Sequence, residues 1–525
     1  MSAEHSHGPF RLPCFKEFVP QGIRPWIFVL IAVALQTSNV VYPPSAANMY
    51  GNLSLLHEDV MMCLYSAFAG MNVAFPMMWR FKFSLTTRQI LTITLSTLIV
   101  CNFVTAHTDS VPLLIAVSFI GGFVKIWGTF ESISTINPWL APNLDFPKFF
   151  PILYMLILGP IYISVLIDVP MTYYATWEDM HRFIAGVLLV ILLFVRLCMV
   201  DFFPMGKGKL LAFDFTGLLL WGLLMLQMSF IAIYGEHYNW FQSGEIRLAT
   251  GCCLITAGLC IGRMLNIRHP YIKWDALCYK RVPVALLLFF LTDAIMETPN
   301  SLQNILTNDL LGFDSMNTVK FNWFALAGTL SGCLFSLWWL WKMRLPIIRL
   351  AFLGILCAVG YQTFMYFLTS TGTALEHFYF PTYLRTFGYA AVYCSLTYYL
   401  KEQIPFDHFL QVLTIVGVIR SGIGGSVGEA IYGYGLRWSV AKNTAHLGYT
   451  LDNLNATMRN MPFGEAYGEL MRQVMAVSIK ELWGYTVIVC IFLFLVFLLF
   501  DSPALAVIRK MPKHFKIKKS TDRTH

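Results

Sequence analysis

Residues 213–246 read FDFTGLLLWGLLMLQMSFIAIYGEHYNWFQSGEI. The run 212–234 carries no charge after Asp214 and has the ~20 apolar residues that a helix needs to cross a bilayer. A polar and aromatic turn, Gly235 to Ser243, follows, and the next apolar run occupies 246–264. Two spans joined by so short a turn form a helical hairpin in a membrane. Interfacial aromatic anchoring explains Trp240 beside Glu236 and His237 more simply than catalysis does.

Apolar runs of spanning length recur on both sides of this hairpin, fourteen in all, from 26–42 to 482–500. Of the 525 residues, 57% are hydrophobic, 15% aromatic and 13% charged, whereas a soluble domain carries about a quarter charged residues. The expected class is an all-α polytopic membrane protein, with little chain left for a soluble domain. The net charge of +8 lies between apolar runs and in the tail, without a basic helix or an aromatic-basic motif, which argues against nucleic acid. The twelve cysteines include one close pair, Cys252 and Cys253, adjacent rather than spaced for zinc. The stretch to Arg24 lacks a signal-like apolar core, so insertion is expected to depend on the first span.

Loop charge supplies an independent test, because Lys and Arg are retained on the cytoplasmic side of short loops. Arg11, Lys16 and Arg24 precede the first span, Arg80, Lys82 and Arg88 follow the second, and Lys207 and Lys209 the sixth. Arg263, Arg268, Lys273, Lys280 and Arg281 follow the eighth span, and Lys342, Arg344 and Arg349 the tenth. Loops 43–58, 107–110 and 235–245 hold no Lys or Arg, and the tail 501–525 is strongly basic. Both termini are therefore expected in the cytoplasm, which requires an even number of spans. The polar segment 435–480, with an amphipathic helix in its second half, is expected as a long periplasmic loop.

Ionisable groups at membrane depth mark pathways or counter-ion pairs. Asp293 and Glu297 are four residues apart on the ninth span, hence on one face of an α-helix. Two carboxylates that close cannot both ionise easily, which suits one of them to carrying a proton or cation; a solvated Glu297 at the mouth, beside Pro299, is the alternative. Lys125 and Glu131 on the fourth span, and Arg420 and Glu429 on the thirteenth, are spaced too far apart to pair with each other. For these four, a structural partner on another helix and a transport role stand equally.

The stretch 213–246 resembles the fourteen-span drug:proton antiporters of the major facilitator superfamily, the EmrB/QacA type. The likeness lies in Phe213, Asp214 and Gly217 at the start of the helix, then Gly235, Trp240, Phe241 and Ser243 in the turn. VIRSGIGGSVGEAIYG resembles a late Arg-x-x-Gly-Gly-x-x-Gly helix of that family through Arg420, Gly424, Gly425 and Gly428, and YLRTFGYA resembles an Arg-x-x-Gly motif through Arg385 and Gly388. Asn39 and Pro43 match the end of the first-helix motif, Gly122 falls in the fourth-helix motif, and Gly159 and Pro160 are what stands of the antiporter motif on the fifth. The family's first-helix acid falls at Ala34 and its fourth-helix Arg at Ser118, and the loop after the second helix keeps its basic residues but no acid.

The resemblance implies a major facilitator fold of about 14 transmembrane helices, two six-helix bundles plus two central extra helices. The divisions are a cytoplasmic segment 1–25, an N-terminal bundle 26–200, linking helices 212–264, a C-terminal bundle 282–500 and the tail. It also implies a multi-pass exporter of the bacterial inner membrane, driven by a proton gradient without a cofactor and moving small amphipathic or cationic compounds. A periplasmic adaptor and outer-membrane channel are possible partners beside the lipid bilayer. The alternatives are a proton-coupled carrier of a specific metabolite, siderophore or lipid-like compound and, less favoured, an intramembrane enzyme. The last would need convergent groups, and His107, His181, His237, His269, His377 and His408 are scattered.

Overall fold

The computed structural model describes residues 14–42, 49, 55–82, 84–141, 145–203, 214–267, 269–279, 282–297, 299–450 and 462–501. Among them the secondary structure is helical apart from one isolated bridge between Phe15 and Met199. Every backbone N–H and C=O must be satisfied within its own segment in lipid, and the helix does this. Pro43, the linker before Asp214 and the basic tail lie outside the described residues, and Glu297 is described for its backbone only.

The first six helices are α1 (Arg24–Thr37), α2 (His57–Lys82), α3 (Thr87–Thr105), α4 (Val111–Leu140), α5 (Phe146–Tyr174) and α6 (Trp177–Cys198). The inserted pair is α7 (Phe215–Tyr234) and α8 (Gly244–Asn266). Then come α9 (Val282–Leu310), α10 (Lys320–Leu337), α11 (Ile347–Leu368), α12 (Tyr379–Gln403), α13 (Phe406–Thr450, continuous through three helical stretches) and α14 (Phe463–Asp501). Among the described residues, eleven helices are long and apolar enough to cross a membrane; α1 and the apolar part of α13 are shorter, and α12 carries Arg385, Lys401 and Glu402. The order matches the fourteen apolar runs, consistent with fourteen spans.

Local chemistry fixes several ends. A capping box at Thr86 and Gln89 starts α3, and Thr176 with Asp179 starts α6. Asp214 accepts from the Gly217 N–H at 2.8 Å to cap α7, pairs with Arg263 at the end of α8 at 2.5 Å, and accepts from the Tyr271 N–H at 3.2 Å. That single carboxylate closes the base of the hairpin, which accounts for Asp and Gly at the opening of its sequence. At the other end Asn239 and Trp240 adopt left-handed backbone angles, and Ser243 accepts from the Glu245 N–H at 3.1 Å.

Small residues set the closest helix approaches, as packing in lipid requires. A Cβ at Gly122 of α4 would land on the Ala67 carbonyl of α2, and one at Gly328 of α10 on Thr386 of α12. The two halves meet along α5 against α10 and α12, and along α2 against α13. Phe150 and Phe409 pack there with ring centroids 5.8 Å apart, and Asn72 donates to the Gly417 carbonyl at 3.1 Å. Gly425 lies against the Tyr65 ring of α2 and Gly428 is buried, whereas Gly159 faces Leu326 and Leu330 without crowding. The inserted α7 packs on α2 and α13, while α8 keeps Leu248, Leu254, Ile255 and Leu265 exposed, as a lipid-facing helix does.

Two stretches differ from the sequence expectation. The ninth span does not end near residue 300 but continues to Leu310. Within 435–480, residues up to Thr450 extend α13 and those from Phe463 belong to α14; 451–461 lie outside the described residues. In the second stretch, low hydropathy hid how α13 and α14 continue, because polar bonds hold the two together. Ser439 donates to Glu481 at 2.7 Å, Lys442 pairs with Glu481 at 3.2 Å, and Asn443 donates to Ser478 at 3.0 Å.

Candidate functional site

Helix α9 is interrupted at Asp293–Glu297 by a π-helical turn. The wider i→i+5 turn frees carbonyls from the α-helical ladder and is often found at functional sites. Three other helices take up the carbonyls of this turn. Tyr432 of α13 donates to the Ala294 oxygen at 3.2 Å, Gln362 of α11 to Ile295 at 2.6 Å, and Arg385 of α12 to Met296 at 3.3 Å. Buried backbone groups demand such partners, so the turn is fixed by its neighbours.

Asp293 opens the turn and is buried, 3% exposed. Tyr393 donates to its Oδ1 at 2.6 Å and Tyr389 at 3.2 Å, both from α12. Arg420, within a second π turn at Val418–Gly425 of α13, brings its Nε to 3.7 Å from the same oxygen and donates from Nη2 to the Tyr389 hydroxyl at 2.7 Å. Its guanidinium lies over the Tyr393 ring at 4.8 Å and near the Tyr389 ring at 5.9 Å. The Arg420 side chain is 34% exposed and that of Asp293 4%. Tyr154, from α5 in the other half, stacks edge-on to Tyr393 at 5.8 Å and shares a 2.5 Å hydrogen bond with Thr397. The cluster therefore spans the boundary between the halves.

The other candidates are placed elsewhere. Arg385 faces the Tyr361 ring below the π turn, in a chain where Tyr361 donates to Gln303 at 3.0 Å and Gln303 to Thr382 at 3.0 Å. Glu429 accepts from Ser301 of α9 at 3.4 Å. Glu131 pairs with Lys82 at 3.3 Å and accepts from Thr87 at 2.7 Å, at the α2–α4 end. Lys125, mid-way along α4, donates to Asn39 Oδ1 at 2.6 Å. Of the Asp293 and Glu297 pair, Asp293 is partnered by Arg420 from α13, and the Glu297 side chain lies outside the described residues. The tyrosines escaped the sequence reading, although Arg385, Tyr389, Tyr393 and Thr397 recur every four residues on one face of α12.

A surface cavity of about 790 Å³ lies at the loop end shared by α5, α10 and α12, lined by Asp145, Phe146, Arg344, Tyr398, Lys401 and Glu402. It mixes both signs of charge and includes none of the Asp293 group.

No family model and no curated protein sequence matches the chain. Among solved structures it is similar to the nucleoside transporter NupG, at 12% identity and TM-score 0.52 over 91% of this chain and 99% of that one. A proton dependent oligopeptide transporter matches at 14% identity and TM-score 0.54 over 90% and 97%, and the human organic anion transporter MFSD10 at 13% and 0.50 over 89% and 97%. At such identities the likeness establishes architecture: the chain has the major facilitator fold. It is a multi-pass membrane protein with the α7–α8 pair inserted between two sets of six helices.

Proposed function

We propose that the chain is a proton-driven secondary transporter that exports small amphipathic compounds across the bacterial inner membrane by alternating access. The observation that carries this is the Asp293 group. A carboxylate at membrane depth is expensive to keep, and this one is held by a cation and two hydroxyls from other helices. Protonation of Asp293 removes the charge that draws Arg420 to α9. The Arg420 guanidinium then keeps its Tyr389 and ring contacts on α12 and loosens from α9, so α9 can move against α12 and α13. Tyr154, seated on Tyr393 and Thr397, relays that shift to α5 and the other half. Broken helices around a midplane site are the arrangement in which alternating-access carriers couple ion and substrate.

The outward direction and the drug-like substrate rest on the resemblance of 213–246 and 418–433 to the fourteen-span antiporters. The inserted pair fits that reading through Asp214, Gly217 and Arg263, which close its base. The test is transport in proteoliposomes under an imposed pH gradient. Asp293→Asn is expected to abolish gradient-driven movement while leaving the purified protein folded, and gradient-driven movement at the wild-type rate in that variant would overturn the assignment.

A further inference from the structure

Several cations inside the fold have an acid in ion-pair range. Lys82 has Glu131, Arg263 has Asp214 and Arg420 has Asp293. Lys125 is 7% exposed at the middle of α4, and its ammonium meets the neutral amide oxygen of Asn39 with no acid in ion-pair range among the described residues. An ammonium taken out of water without a counter-charge is costly, and such a group at membrane depth marks a binding function.

Lys125 and Asn39 together are a set of donors. The ammonium has three N–H groups and gives one to Asn39 Oδ1. That bond leaves the two donors of the Asn39 NH2 group pointing elsewhere, and Asn39, just past the end of α1, is half-buried. A ligand with acceptor oxygens and negative charge completes both residues; a cation completes neither. The Asp293 group gives the same answer from the other half. Its carboxylate already has Arg420 and two tyrosine hydroxyls, and the ring faces of Tyr389 and Tyr393 already hold the guanidinium. A cationic compound would find the acid and the aromatic faces occupied by the protein's own arginine.

We propose that the transported compound carries an anionic group, a carboxylate, sulfonate or phosphate, which seats on Lys125 Nζ and the Asn39 amide in the seam between α1 and α4. This rests on reading the chain as a transporter and reverses the charge that the drug-antiporter resemblance implies for the cargo. Charge-assisted bonds of this kind are the strong ones in a dry site, so the ammonium decides affinity and Asn39 orients it.

The experiment uses the full-length protein and two dyes, lucifer yellow as a disulfonated anion and ethidium as a cation. Binding is read in detergent by fluorescence anisotropy, and movement in proteoliposomes under a pH gradient. The expected result is that lucifer yellow binds and moves, that Lys125→Gln weakens its binding roughly tenfold or more, and that Lys125→Arg restores most of it. Circular dichroism of the variants checks that they fold. If lucifer yellow binds through Lys125 and neither dye moves, the anion site stands and the transporter reading falls. If ethidium alone is driven by the gradient, the transporter reading stands and the anion proposal falls. Lucifer yellow that fails to bind the wild type, or binds Lys125→Gln equally well, also overturns it.

Discussion

Glu131 in the N-terminal half and Asp293 in the C-terminal half are both buried carboxylates facing a cation, but their surroundings differ. Glu131 and Lys82 are 2% and 1% exposed as side chains, and their hydroxyl partners Thr87, Ser134 and Thr135 come from the adjoining helices α3 and α4. Asp293 meets an arginine that is 34% exposed, on a π turn, with a tyrosine of the other half one ring away. A sealed pair with every donor answered has one arrangement. A pair with a partly exposed arginine and broken helices on both members can exchange its partner for a proton. The first is read as scaffold and the second as machinery.

The largest effect should come from breaking the sealed pair on one side. Lys82→Met leaves a buried carboxylate without its cation and is expected to destabilise the protein by about 3–5 kcal/mol, read as thermal unfolding in detergent. Adding Glu131→Leu should recover most of that loss, because two apolar side chains of similar size replace the pair. A double variant as unstable as the single one would show that Glu131 does more than pair with Lys82.

Asp293→Asn should reverse the pattern. The arginine it strands is partly exposed and keeps its Tyr389 bond and ring contacts, so stability should fall by less than in Lys82→Met, while transport under a pH gradient is lost. If the two variants behaved alike in both measurements, the distinction between scaffold and machinery would collapse. Next in size, Tyr393→Phe removes the 2.6 Å bond to the carboxylate, and a hydrogen bond to a charged group contributes about 1.5–3 kcal/mol. In a double-mutant cycle that loss should shrink when Asn already occupies position 293, since only contacting residues couple. Additive losses would mean that the tyrosine acts on something other than the carboxylate.

Much of this fold was legible in the sequence for a physical reason: each membrane helix satisfies its own backbone, so fourteen apolar runs could be read one at a time. The hairpin 213–246 was legible through Asp214, whose cap, ion pair and loop contact all lie at its base. Pairings across distant helices were not. Nothing in the spacing of Lys82 and Glu131, 49 residues apart, says that they meet, and Arg420 lies far along the chain from Asp293. The polar extension of α13 read as loop, and that of α14 as an amphipathic helix within one, because each depends on the other for its bonds. The π turn was invisible to a periodic reading, which assumes an unbroken α-helical register through Asp293 and Glu297. Tyr389 and Tyr393 were hidden differently, as aromatic residues in a span where aromatic residues are ordinary.

The smallest expected effect probes what keeps that turn in place. Tyr432 donates a single neutral hydrogen bond to the Ala294 carbonyl at 3.2 Å, and Tyr432→Phe removes it with little change in volume, for about 0.5–1.5 kcal/mol. Gln362 holds the next carbonyl, Ile295, at 2.6 Å. If the turn is a hinge whose carbonyls are released as α9 moves, both bonds belong to one conformation, and losing either should change the rate of transport more than the small stability loss accounts for. Thermal unfolding and initial transport rate measured on the same preparation separate the two. A change in stability without a change in rate would place the π turn with Lys82 and Glu131, as fixed scaffold, and leave the Asp293–Arg420 pair as the moving part of the C-terminal half.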